Sequence, residues 1–466
     1  MSFAQFIEQA AGFMWGRATI YFLLGTGILF TILLKVPQRR IGDSIRLVFG
    51  KNPHHDEKNI TAWEAICTCI GGQVGTGNIV GPATSIIAGG PGALFWCWMS
   101  AIFGQAIIFA EAVAAQKHRE KLPDGTYNGG VSYYIKAAFP GSLGKILATI
   151  FALLLLVGYG WGCTLVNTNA ITDAVYNAYG VSKLVTAIIV AIVVLLVVVG
   201  GLKRIANVMS SLVPIMSLVY IGCGLVLILM NIDQFLPALG AIFVAAFTPK
   251  AVLGGAVGFA VQKAMRYGLA RGLLSNEAGM GSTPQVHAVA DVKNPCDQGL
   301  VSMFSVMVDT LIILTMSGLV MLTVGAQNAG LSGVAVVQYA FSQVFGSTIG
   351  NLIIVLAVAC FCFTTMCTGF YYGQSAMIEM FGQSKAAFAV LAIVEPFLIV
   401  LGGVMPLDVA WNTVDCFYAA MVWINLCALW KLIKSIRKDW IDYEKGGRTL
   451  DTTLNDIKNH KAKTKA

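Results

Sequence analysis

The sequence predicts an all-α integral membrane protein: two inverted five-helix repeats with discontinuous helices, preceded by one extra N-terminal helix, eleven spans in all. Three observations carry that prediction. The 466 residues are 57% hydrophobic and only 12% charged, with mean hydropathy +0.74, whereas a soluble domain carries about 25% charged residues. Apolar runs of about 20 residues, the length that crosses a bilayer, recur along the whole chain. Two of them, five spans apart, are broken by glycine clusters. Lipid does not satisfy freed backbone groups, so such a break survives only where it faces protein or a polar cavity.

The runs are centred on 15 to 34, 62 to 88, 91 to 116, 143 to 171, 183 to 201, 205 to 230, 250 to 270, 298 to 324, 346 to 377, 386 to 404 and 408 to 432. Residues 1–60 then hold the extra helix and a basic loop, 61–232 the first repeat, 233–437 the second and 438–466 a polar tail. Between alternate spans fall 28 of the 31 Lys and Arg, including Lys263, Arg266 and Arg271; only Arg17, Lys183 and Lys250 fall on the other side. The positive-inside rule therefore puts the N-terminus outside and the C-terminus in the cytoplasm of a plasma (inner cell) membrane. The net charge of +8 is thus a topology signal and gives no ground for nucleic-acid binding.

No basic residue precedes Arg17, so the first span is expected to be retained and not cleaved as a signal peptide. The Cys residues lie mostly inside spans without metal-ligand spacing and read as small packed hydrophobes. All His residues fall in loops or the tail, with His54 and His55 in a solvated loop. The tail from Lys438 reads as a short surface helix followed by disorder.

The first break, Gly71 to Gly81 (GGQVGTGNIVG), has five glycines in eleven residues, each costing about 1 kcal/mol of helix propensity relative to alanine. The second is expected at Gly254 to Gly258 (GGAVG) in span seven. Paired breaks in two halves mark the substrate site of secondary transporters, where a half-helix N-terminus meets an anion and freed carbonyls meet a cation. The string SNEAGMGS, Ser275 to Ser282, reads as a tight inner-gate turn, with Glu277 pairing to Arg266 or Arg271; no preceding strand or Gly-Lys-Ser/Thr ending supports a phosphate loop.

The strings GTGNIVGPATSIIAGGPGALFW in span two, SYYI at Ser132 to Ile135, RYGLARGLLSNEAGMGSTP at 266 to 284 and DTLIILT at 309 to 315 resemble the alanine or glycine:cation symporter family, within the amino acid, polyamine and organocation superfamily. The resemblance covers roughly residues 12 to 435. It implies a LeuT-type fold and sodium-driven uptake of small neutral amino acids, with sodium the co-transported ion and no organic cofactor. A zwitterion needs donors for its carboxylate, which the backbone N–H groups of Gly75, Thr76 and Gly77 supply at a half-helix start. Glycine at Gly77 is expected to permit close approach of the backbone.

Thr364 and Thr365 lie where a LeuT-type fold places the hydroxyl pair of a sodium site, opposite the carbonyls of Gly71 and Val74. The alternative is that each hydroxyl bonds back to a carbonyl one turn earlier. Asp309, an acid inside a span and therefore a functional candidate, is expected to join Asn78 and Thr310 as a second cation site or to meet the substrate ammonium. Glu395 and Asp415 are also within spans, while Glu64 and Glu111 lie near cytoplasmic ends and are expected to reach water. The chain departs from the family pattern at Asn167, where a glutamine is usual, at Gly369, where a tryptophan is usual, and at Gln262 and Lys263, which replace small residues after the expected second break at Gly258. The first two changes predict a roomier pocket. Lys263 either snorkels to the cytoplasmic interface or neutralises a carboxylate such as Asp309. Proton coupling is the alternative to sodium; a channel would want a continuous polar stripe or charged ring, and an enzyme a convergent His, Cys or Asp constellation.

Overall fold

The structure, a computed structural model, describes residues 3–50, 59–247 and 257–446. Helices make up nearly all of it; a two-residue antiparallel pairing of Glu120–Lys121 with Tyr127–Asn128 closes one loop. Eight helical segments among the described residues are long and apolar enough to cross a membrane. The other three expected spans are the broken span two, the 16-residue helix α10 and span seven, which length or polarity keeps out of that group.

The added helix is α1 (Phe3–Met14) followed by α2 (Arg17–Leu33), and it packs along the final helix α19 (Leu407–Lys445). Indole N–H groups fasten the pair: Trp15 to the Asp415 carbonyl at 2.8 Å, Trp423 to Thr19 Oγ1 at 2.9 Å, Trp430 to Thr26 Oγ1 at 3.0 Å and Trp440 to the Leu34 carbonyl at 2.9 Å. Trp15 and Trp440 are buried, where an indole usually finds a partner for its one donor. Because α19 runs unbroken to Lys445, the expected separate surface helix from Lys438 is the end of the last span.

After α3 (Ile41–Phe49), span two divides as expected into α4 (Ala62–Gln73) and α5 (Thr76–Gly89). Thr61 and Glu64 form a reciprocal capping box at the start of α4, at 3.1 and 2.7 Å, so Glu64 serves the helix terminus. Next come α6 (Gly92–Lys117), the short α7 (Val131–Ala138), and a long span made of α8 (Ser142–Leu155), a π-helical turn at Leu156–Gly162 and α9 (Cys163–Tyr179). Helices α10 (Lys183–Val198) and α11 (Gly201–Met230) follow, and α12 (Ile232–Phe247) precedes span seven.

Span seven departs from expectation. Gly254 and Gly255 lie outside the described residues, and from Val257 the chain is continuous helix, α13, to Asn276. The discontinuity follows at 277–283, before α14 (Pro284–Val289). Positive φ at Glu277 (56°), Gly279 (85°) and Gly281 (81°) prevents the helix from continuing. The SNEAGMGS string is therefore the second break itself, not a turn beyond the end of the span.

The chain continues through α15 (Pro295–Val306), a π-helical stretch at Met307–Leu314, α16 (Thr315–Val324), α17 (Val334–Phe381), α18 (Lys385–Val404) and α19. Helix α17 is two helices joined at Gly346, whose φ of 77° lies outside helical space. A β-carbon on Gly89, at the end of α5, would sit 3.1 Å from the Ala264 Cα, so Lys263 shares an end of the molecule with the end of α5. We call this the first end. Descending from it, α13 carries Lys263, Arg266 and Arg271 there too, which moves three of the 28 basic residues to the opposite end from the one expected. The balance of charge between the ends keeps its sign.

Candidate functional site

Both breaks face one small cavity of about 50 Å³. The first break contributes Gly72, Gln73, Gly75, Thr76 and Gly77, and the second Leu274, Ser275 and Glu277. Tyr159, Cys163 and Asn167 close one side, Thr365 another, and Trp411, Val414 and Tyr418 of α19 a third. Helix α5 points its N-terminus into this space.

The three-residue cradle expected there is only partly open. Asn167 Oδ1 accepts from the Thr76 N–H at 3.2 Å and from Thr76 Oγ1 at 2.9 Å, while the Gly75 N–H bonds to Asn78 Oδ1 at 3.3 Å. Among the three, Gly77 alone has an N–H with no hydrogen bond described. Asn167 is itself fixed by its Nδ2 bond to the Cys163 carbonyl at 2.8 Å, so it caps α5 from across the cavity. The steric need for glycine lies one step from where the sequence suggested. A β-carbon at Gly77 would meet nothing closer than 3.8 Å, but at Gly75 it would lie 2.5 Å from Thr365 Oγ1 and 2.9 Å from Asn167 Oδ1.

Thr365 Oγ1 lies 3.1 Å from the Gly71 carbonyl, 3.3 Å from the Val74 carbonyl and 3.0 Å from the Phe361 carbonyl. One hydroxyl has one proton and satisfies one of these oxygens at a time. The Thr365 hydroxyl and the carbonyls of Gly71 and Val74 at the break are hard oxygens of the kind a cation such as sodium prefers. Thr364 differs from its neighbour. Its hydroxyl bonds back to the Phe361 carbonyl at 2.8 Å, the intrahelical alternative open to such residues, while its Cβ packs near Gly71.

Asp309, Asn78 and Thr310 come together as expected, and a fourth residue joins them. Asp309 Oδ1 accepts from Asn78 Nδ2 at 2.6 Å; Oδ2 accepts from Thr310 Oγ1 at 2.6 Å and Ser275 Oγ at 2.9 Å. The carboxylate thereby ties α5 at the first break to α13 at the second, and neither Asp309 nor Asn78 lines the cavity. With three donors on its oxygens, Asp309 has little capacity left for a cation.

Glu277 accepts from Ser282 Oγ and has no ion-pair partner among the described residues. The pairing expected with Arg266 or Arg271 does not form. Arg271 instead faces Asp415 at 3.9 Å and lies 5.0 Å over the Trp411 ring, and Arg266 lies beside Tyr267. Glu111 does not reach water either: fully buried, it accepts from Asn425 Nδ2 at 2.5 Å, and the same Nδ2 donates to the Gly279 carbonyl of the second break at 2.9 Å. It holds the unwound segment in place. Glu395, also buried, accepts from Thr164 Oγ1 at 2.5 Å.

Three expected pocket residues are not brought to the cavity. Gly369 is packed against the π-helical turn, where a β-carbon would lie 2.4 Å from Cys163 Sγ and 3.0 Å from the Tyr159 carbonyl, so its smallness serves a helix crossing. Gly258 and Gln262 belong to the first turns of α13, and at 1.5 Å per residue they lie about 27 and 21 Å along the helix from Asn276; their side chains are outside the described residues. Lys263, exposed at the first end, lies about 18 Å along α13 from Ser275, the residue of that helix that bonds to Asp309. Sequence reasoning missed Gln73, Tyr159, Ser275 and Trp411. Gln73 had a signal, as the one polar side chain among the glycines of GGQVG. Its Nε2 donates to the Asn276 carbonyl of the second break at 2.8 Å and its buried Oε1 has no partner.

The chain matches the sodium:alanine symporter family over residues 1–455. It is 38% identical to an uncharacterized transporter of Haemophilus influenzae over 448 residues, covering 95% of this chain and 96% of that one. It is 35% identical to the sodium/alanine symporter AgcS of Methanococcus maripaludis, with 92% and 94% covered, and 34% identical to the probable sodium/glutamine symporter GlnT of Bacillus subtilis, with 98% and 95% covered. Among solved structures, a manganese transporter of Eremococcus coleocola superposes with a TM-score of 0.54 at 12% identity over 88% of this chain and 93% of that one. A Na+-coupled sialic acid symporter does so with 0.54 at 13% identity over 84% and 82%. At these identities the likeness shows the fold, which is LeuT-like.

Proposed function

We propose that this chain, which belongs to the sodium:alanine symporter family, carries a small neutral amino acid of the alanine, glycine, serine or glutamine class together with sodium by alternating access. One observation supports this reading above others: a small cavity lies between two broken helices, and the Thr365 hydroxyl of α17 meets the Gly71 and Val74 carbonyls of the first break beside it. Sodium is assigned to Thr365 Oγ1 and the carbonyls of Gly71, Val74 and Phe361. The substrate carboxylate is assigned to the start of α5, at the Gly77 N–H, where the helix dipole favours an anion. The ammonium then faces Gln73 Oε1 and Glu277, the acceptors on the side of the second break, in place of Asp309.

Alternating access follows from rocking the bundle of spans two, three, seven and eight against the others, with residues 61–232 and 233–437 as the two repeats. Asp309 and Glu111 act within this scheme as ties that keep the two breaks in register. The charge asymmetry supports a plasma-membrane orientation with the first end outside. No covalent chemistry is needed, so neither an enzyme mechanism nor an organic cofactor enters.

Uptake of labelled alanine into proteoliposomes tests the reading. Accumulation is expected only with an inward sodium gradient, to be electrogenic, and to be inhibited by glycine, serine or glutamine. Equal uptake with choline in place of sodium contradicts it, and uptake driven by an inward proton gradient alone supports proton coupling instead.

A further inference from the structure

His287, expected in a loop, stands in α14, every residue of which is buried. Its ring reaches across to the first broken helix: Nε2 lies 3.4 Å from Cys69 Sγ of α4, while Nδ1 lies 2.7 Å from Gln298 Nε2 of α15. The half-helices α4 and α14 run from the two breaks toward the end opposite the first, where the Asp291 N–H bonds to the Ile60 carbonyl at 2.9 Å. From Ala65 to Gln73 all of α4 is buried as well. The imidazole is thus a brace between two packed half-helices that stand between the cavity and that end.

The partners of the ring are neutral. Cys69 and Gln298 each meet one ring nitrogen, and among the described residues His287 has no ion pair. The titratable groups of neighbouring elements are engaged elsewhere. Tyr371 of α17 bonds to the Gln285 carbonyl at 3.3 Å, and Glu277 of the second break accepts from Ser282. Arg119 bonds to the Ala288 and Ala290 carbonyls at 3.0 and 2.8 Å, and Asp291 acts on Arg119. Gln116 of α6, which bonds to the His287 carbonyl, is uncharged. A second proton on the ring would therefore bury a charge among neutral partners, which is costly, whereas in water an imidazole takes up that proton near pH 6.5. A ring that is neutral when packed and charged when wet favours the packed arrangement above about pH 6.5 and the opened one as pH falls below it. We propose that His287 is a proton-binding latch: neutral, it braces α14 against α4; protonated by the solution at that end, it holds the two apart and the cavity open to that side.

The test reads backbone hydrogen–deuterium exchange of α14 by mass spectrometry, on the full-length protein in phosphatidylcholine nanodiscs at pH 7.5 and 5.5, corrected for the intrinsic pH dependence of exchange. Exchange of a packed segment reports how often it opens. In the wild type α14 should exchange about tenfold faster at pH 5.5, the ratio expected when opening exposes one group that titrates near 6.5, while α10 should show no such ratio. His287→Gln, which keeps a neutral hydrogen-bonding side chain, should remove the pH ratio of α14. Cys69→Ala should speed exchange at both pH values and keep the ratio, because the titrating ring remains. Equal exchange of α14 at the two pH values in the wild type overturns the proposal, a comparison that needs no variant. The same ratio in α10, or in α14 of His287→Gln, overturns it too. The latch rests on the alternating-access reading, yet exchange needs no substrate. A protein with the pH ratio but without alanine uptake contradicts that reading alone; one with sodium-driven uptake but without the ratio contradicts the latch alone.

Discussion

The two breaks that face each other across the cavity are built differently. The first is tight: Val74 and Gly75 alone separate α4 from α5, and it offers carbonyls to a hydroxyl. The second is seven residues long, holds positive φ at one acid and two glycines, and is anchored by buried carboxylates, Glu111 through Asn425 and Asp309 through Ser275. A short break without charge exposes backbone dipoles to ligands. A long break must satisfy many more backbone groups and recruits acids to do so. The difference suggests that the first break sets ion and carboxylate binding, while the second sets the polarity of the ammonium side.

The largest expected effect breaks the comparison at its tightest point. Gly75→Val should abolish uptake, at least a hundredfold, because its side chain would occupy the space of Thr365 Oγ1 and Asn167 Oδ1. Gly77→Ala should stay within about fivefold of wild type, since its β-carbon makes only ordinary contacts. Initial rates of alanine uptake at matched protein amounts check both, and equal losses would mean that glycine at this break serves only helix packing.

Next comes the second break. Glu277→Gln keeps shape but removes the charge, and hydrogen bonds to charged groups are worth about 1.5–3 kcal/mol. Alanine affinity should fall about ten- to a hundredfold while half-saturating sodium changes little. A matching loss of sodium affinity would move Glu277 from the ammonium to the ion.

The smallest effect concerns substrate size. Asn167→Gln adds one methylene beside the start of α5, and overfilling a packed site costs about 1–3 kcal/mol. Competition by glutamine should weaken several-fold more than competition by glycine. If the ranking of glycine, alanine and glutamine is the same in both proteins, Asn167 does not set pocket size.

The first break was legible in the sequence because five glycines crowd an otherwise apolar span. The second was expected at GGAVG, of which Gly254 to Ala256 lie outside the described residues, whereas the break that reaches the cavity comes at SNEAGMGS. GGAVG and SNEAGMGS both contain glycine, and glycine count does not say where helix stops; the polar neighbours Ser275, Asn276 and Glu277, which need buried partners, were the better guide. Asp309 could be found because an acid inside a span demands donors, and two of the three came with it from the sequence. Its third, Ser275, comes from another helix and depends on packing that no local pattern encodes. Gly369 was read as pocket lining, whereas its closeness to Cys163 and Tyr159 makes it a crossing point. The indole bonds that fasten the added helix to α19 likewise depend on pairing residues about 400 positions apart.

The central claim is that the first break holds the coupling ion, and the adjacent threonines test it most directly. Only Thr365 turns its hydroxyl to the carbonyls of Gly71 and Val74, while Thr364 bonds within its own helix. Sodium activation of alanine uptake, measured in proteoliposomes for Thr365→Ala and Thr364→Ala, should therefore separate them. Thr365→Ala is predicted to raise the half-activating sodium concentration about tenfold or more, the loss of one hard-oxygen ligand, and Thr364→Ala to leave it within about twofold. Unchanged sodium dependence in Thr365→Ala, or an equal shift in both variants, would contradict a cation site at this break.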